Sequence, residues 1–60
     1  MTVFLCFKKF LSTDGHYYTI VSHVYANKSD AVKWQDETRA YVEESGIENF
    51  VCWYAETEVE

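Results

Sequence analysis

Cys6 and His23 are the residues of this chain with the clearest claim to chemistry. A thiol beside an imidazole is the start of a Cys–His nucleophile, in which the histidine lowers the thiol pKa. Cys52 brought to the same place would begin a Cys/His metal site. Both constellations are incomplete in the sequence. No third group orients the imidazole, and zinc ligands normally come in pairs at short spacing, whereas this chain has no CxxC. The plainer reading of Cys6 and Cys52 as small buried hydrophobes is preferred, and a Cys6/His23/Cys52 metal or thiol site ranks last among the alternatives. Carboxylates are more numerous: Glu43 and Glu44 adjoin, and Glu56, Glu58 and Glu60 alternate at the end. General acid–base work needs such groups in a cleft that perturbs their pKa values. Sixty residues leave little room for a cleft, so these read as a solvated helix face and strand end. His16 reads as solvated. Gly15 and Gly46 have local tasks in a turn and a helix cap, which leaves no phosphate loop. The expectation is a protein that is not an enzyme, with no catalytic residue, no metal ligand and no cofactor.

The elements that would carry these residues can be read from period and punctuation. Asp14-Gly15 between two apolar runs predicts a hairpin, and a two-residue type I′ turn makes opposed positions sum to 29. One side then pairs Phe4 with Tyr25, Cys6 with His23, Lys8 with Val21 and Phe10 with Thr19. The other pairs Val3 with Ala26, Leu5 with Val24, Phe7 with Ser22, Lys9 with Ile20 and Leu11 with Tyr18. A three- or five-residue loop would change this register. A helix follows over 28–46, capped by Asn27 or Ser29, with Asn27 and Asp30 approximating a capping box. Ala31, Trp34, Gln35, Thr38, Tyr41, Val42 and Ser45 fall on one stripe, and Lys33, Asp36, Glu37, Arg39, Glu43 and Glu44 on the other side. Gly46 suits the C′ position. Residues 48–59 predict a third strand, apolar on both sides.

Strand, strand, helix, strand in one domain over 1–60 predicts an α+β fold. It is a three-stranded antiparallel sheet of order 2-1-3, with the helix packed on one face by a right-handed crossover. A single helix covers one face only. It is expected on the Val3/Leu5/Ile20/Val24 side, leaving Phe4, Cys6, Phe10, Tyr17, Val21 and Tyr25 bare. Strand three adds its Phe50/Tyr54 set or its Val51/Trp53 set. Large exposed apolar patches mark binding surfaces, and aromatic rings are what interfaces enrich. The expected interface residues are therefore Phe4, Phe10, Tyr17, Val21, Tyr25 and Trp53, and the simplest cover is a second copy, a homodimer.

Charge narrows the partners. The net charge is −5, with about +2 on residues 1–29 and −7 on residues 30–60. Phosphate contacts need lysine and arginine, so no direct nucleic-acid contact is expected. A protein partner with a basic surface is, met by Asp36, Glu37, Glu43 and Glu44. The first apolar run stops at Lys8-Lys9, too short to cross a membrane. The N-terminus lacks signal-peptide grammar, and two cysteines make no disulfide framework. A cytoplasmic protein with reduced thiols is expected.

The order of signals resembles a group of small phage and prophage proteins. In these a strand of the "VFLCF" kind leads to one like "YTIVSHVYA", then a capped helix like "NKSDAVKWQDETRAYVEE" and a last strand ending in acids, here "FVCWYAETEVE". Phage proteins of comparable plan include small RNA-polymerase inhibitors and antitoxins. The resemblance implies a host-takeover or anti-defence protein, of anti-CRISPR or related type. It would bind a host or defence-system protein in the host cytoplasm. It transfers no functional residue. The alternative is a small homodimeric structural or regulatory protein.

Overall fold

A computed structural model describes residues 1–60. The elements follow as β1 (Thr2–Leu11), β2 (Tyr17–Tyr25), α1 (Lys28–Ser45) and β3 (Phe50–Glu58). The sheet is antiparallel with order β2-β1-β3, so the α+β fold expected from the sequence is the fold observed.

The hairpin differs from expectation in its turn. Gly15 N–H donates to the Ser12 carbonyl at 3.0 Å, and Ser12 N–H to the His16 carbonyl at 2.8 Å. This is a three-residue loop, Thr13 to Gly15, and not a two-residue type I′ turn. Type I′ requires positive φ at both central residues. Here Gly15 alone takes it, at 86°, as the left-handed residue that closes a three-residue hairpin. Pairing near the turn therefore sums to 28: Phe7 faces Val21, Lys8 faces Ile20 and Phe10 faces Tyr18. Between Cys6 and Phe7 the register shifts by one residue, with Ser22 left as the bulge. Beyond it the expected sum of 29 holds, with Cys6 opposite His23 and Phe4 opposite Tyr25.

Helix α1 ends as its sequence requires. Gly46 adopts φ 68°, its N–H reaches the Glu43 carbonyl, and the Ile47 N–H reaches the Val42 carbonyl. That is the Schellman arrangement, which satisfies carbonyls a helix end otherwise leaves open. The capping box does not form. Asn27 is the N-cap by backbone geometry, but its side chain makes no cap hydrogen bond.

Only Phe4, Cys6, Ala31 and Cys52 are buried, with Tyr25, Trp34 and Tyr54 packed around them. The helix therefore covers the even-numbered side of β1, the opposite of the face expected. The reason lies in side-chain size. Ala31 is the smallest residue on the helix stripe, and Cys6 and Cys52 are small, so the backbones approach closely there. The expected cover on Val3, Leu5 and Val24 would place branched side chains beneath the helix. Phe4, Cys6, Phe10 and Tyr25, expected bare, lie on the helix side.

Candidate interaction surface

The Cys–His pair is the first candidate and its geometry opposes the chemistry. Cys6 is fully buried, and burial, with the nearby Cys52 adding to it, pushes its thiol pKa up. A nucleophilic cysteine needs the reverse. His23 is exposed and engaged elsewhere: its Nδ1 lies 2.9 Å from Ser22 Oγ, and its ring stacks on Tyr25 with centroids 5.7 Å apart. Cys52 Sγ lies 3.9 Å from the Gln35 carbonyl, not against His23. No three His, Cys, Asp or Glu side chains converge in metal-binding fashion.

The second candidate is the odd-numbered sheet face. Strand alternation and the two registers place Val3, Leu5, Phe7, Lys9 and Leu11 of β1 there. Beside them stand Tyr17, Thr19, Val21 and Val24 of β2, and Val51, Trp53, Ala55 and Thr57 of β3. No element lies over them. Val21, Val24 and Val51 are each more than half exposed. At the centre Phe7 stacks on Trp53, centroids 5.4 Å apart and planes 17° from parallel. Lys9 is the face's one charged residue, and its ammonium lies 5.3 Å from the Tyr17 ring centroid, where the ring's negative face attracts it. None of the ten acidic residues occupies a strand position of this face. Glu56 and Glu58 project to the helix side, and the others belong to loops, the helix and the chain end.

The sheet edges are less open than the face. The Ser22 bulge interrupts β2, and bulges are a known device for blunting an edge. Along the other edge Arg39 reaches from α1 and donates to the Cys52 carbonyl at 3.4 Å. The Gln35 amide, turned with its oxygen toward Arg39, accepts from the two terminal guanidinium nitrogens at 2.6 and 2.8 Å and holds it there. Arg39, Val42, Phe50 and Trp53 border a shallow groove of about 380 Å³ between helix and β3.

Of the interface residues expected from sequence, Tyr17, Val21 and Trp53 stand on the open face. Phe4, Phe10 and Tyr25 do not: Phe4 is buried beneath the helix, and Phe10 and Tyr25 are half-buried beside it. Tyr17 and Val21 keep their open position because two departures cancel. The bulge reverses their side relative to Phe4, and the helix takes the opposite side of the sheet. Asp36, Glu37, Glu43 and Glu44 are exposed on the outer side of α1. Sequence reasoning missed Phe7 and Val24 as open-face residues and Arg39 as an edge guard, and of its two alternatives for strand three the Val51/Trp53 set is the one on this face. The small residues at 6, 31 and 52 were the available signal for which face the helix would choose.

No family model, curated protein or solved structure matches this chain. No helix is long and apolar enough to cross a membrane.

Proposed function

We propose that the chain is a binding protein acting by protein–protein contact, without chemistry on a substrate. It is of the phage-encoded inhibitor type that the resemblance implies, directed at a host or anti-phage defence protein. The observation that supports this reading is the open sheet face, thirteen strand positions of which ten are aliphatic or aromatic, with no acid among them. A face that must meet water usually carries threonine, lysine and glutamate in alternation, and a contiguous apolar patch of this extent marks a contact surface. The outer helix face supplies the second half of the reading. Asp36, Glu37, Glu43 and Glu44 form an acidic surface that would steer a basic partner, acting on association rate and screened by salt.

The second reading is a homodimeric structural or regulatory protein, favoured by the lack of acidic residues on the open face. Co-purification from a bacterial lysate separates the two. The inhibitor reading expects one stoichiometric protein retained by the parent and released when Glu43 and Glu44 are both changed to lysine. Retention that ignores these substitutions and salt would contradict the acidic contact. Self-association with no second protein would leave the homodimeric reading.

A further inference from the structure

We infer that the open sheet face is covered by a second copy of this chain, packed sheet on sheet about a two-fold axis near Phe7 and Trp53. The inference rests on the reading of that face as a contact surface and names its occupant. Four observations carry it.

The first is that the protomer has the dimensions of half a body. Its accessible surface is 4504 Å², against about 4,100 Å² for a compact monomer of this mass. Its radius of gyration is 12.6 Å, against about 10.4 Å for a compact sixty-residue domain. Its backbone is a slab 37 × 23 × 11 Å.

The second is area. Three strands about 4.8 Å apart and about nine residues long give a footprint of roughly 430 Å² before side-chain relief is added. Two such footprints sum to roughly 860 Å² before that relief, which side chains raise to about 1,000 Å², the lower threshold for a biological interface.

The third is the partition of charge. A protein of net charge −5 opposes its own copy unless its acids point away from the contact. Here every acid lies off the open face, and Lys9 is already held over the Tyr17 ring. A basic protein or a nucleic acid would gain nothing from this face, whereas an identical face brings no acids to the contact and only the two Lys9 ammoniums, each drawn over a Tyr17 ring. Phe7 and Trp53 sit on the middle of the sheet, where a two-fold axis makes each ring pair meet its equivalent.

The fourth is that the edges offer a poorer route. The Ser22 bulge and the Arg39 guanidinium interrupt the backbone groups that strand-to-strand pairing would use. Face packing, with the sheets about 10 Å apart, uses neither edge. It also leaves both helices outward, so that the dimer presents two copies of the acidic surface.

Sedimentation velocity across a concentration series tests this, with the parent, Val21→Lys and Val51→Lys compared. Both valines are over half exposed in the protomer, so neither lysine disturbs the layer beneath the helix. The expected result is a parent dimer, its dissociation constant raised about tenfold or more in each variant while circular dichroism is unchanged. Should a lysine variant fail to fold, the parent's melting midpoint decides: it rises with protein concentration if folding and dimerisation are linked. A parent monomeric at all concentrations, with a concentration-independent midpoint, overturns the second copy as occupant but not the face as a surface for another chain. A dimer that persists unweakened in both folded variants overturns the face as a contact surface and the inference with it.

Discussion

Single side chains in this protein are set by local contacts that titrate at opposite ends of the pH scale. The Asp14 carboxylate accepts from the Tyr18 hydroxyl and, at 3.0 Å, from the His16 backbone N–H. The Tyr18 hydroxyl, followed by the His16 amide, holds the Asp14 pKa below the usual carboxylate range. The same contact holds the Tyr18 pKa above its ordinary value. A depressed carboxyl pKa stabilises the fold above the unfolded value, near 3.9, and that contribution is lost as pH falls through the lower folded value. A raised phenol pKa does the reverse: its contribution is full below about 10 and lost as pH rises through the higher folded value. NMR titration of the Asp14 carboxyl carbon is therefore expected to show a midpoint below ordinary aspartate, moving upward in Tyr18→Phe. A midpoint that Tyr18→Phe leaves in place would break the assignment. Cys6 illustrates the same dependence on surroundings. A thiol that suggested a nucleophile in sequence is a core atom in the fold, because burial removes the thiolate's solvation.

At the scale of elements, the positions and types of strands and helix were legible because each has strong punctuation. Asp14-Gly15 marks the hairpin, Asn27 the start of α1 and Gly46 its end. The loop length was not legible, because Asp-Gly serves both two- and three-residue hairpins and only the backbone at Asp14 distinguishes them. The bulge at Ser22 was hidden for a related reason: β2 is apolar on both sides of it, so a one-residue slip leaves no polar residue obviously misplaced. The same double-sided apolarity hid which face the helix covers. The expectation put the helix on the Val3 and Leu5 side, whereas the small residues Cys6, Ala31 and Cys52 favour the Phe4 and Cys6 side, and close approach of Ala31 decided it. Phe4→Ala empties the layer under the helix and is expected to cost about 3–5 kcal/mol. A sixty-residue chain holds about 3–9 kcal/mol in all, so much of the protein would unfold. Ala31→Leu forces the helix off Cys6 and costs about 1–3 kcal/mol, whereas Ala40→Leu, on the exposed side, stays within about 0.5 kcal/mol. Denaturant midpoints check all three. A Phe4→Ala protein as stable as the parent would place Phe4 outside the covered layer.

The whole molecule is two layers, a three-stranded sheet and the helix on one of its faces, with nothing over the other face. Sheet and helix together bury four side chains, and the other sheet face keeps an apolar surface that the chain itself does not cover. The candidate site was legible from sequence as a necessity, since one helix cannot cover two faces, and partly in its membership, since Tyr17, Val21 and Trp53 do lie there. Its remaining members depended on the parity that the bulge and the helix jointly set. The charges follow the same division, with acids on the helix side and chain end and none on the open face. The most direct test of the central claim uses the two tryptophans, which report on opposite faces. Trp34 packs against the core under the helix, while Trp53 lies on the open face and is 36 % exposed. In a Trp34→Phe protein, Trp53 is the only indole. Its emission is expected to be blue-shifted and shielded from acrylamide at high protein concentration, and to shift red and become quenchable on dilution or with Val21→Lys added. Emission that stays red and freely quenched at every concentration, or shielding that Val21→Lys leaves intact, would contradict a contact through this face.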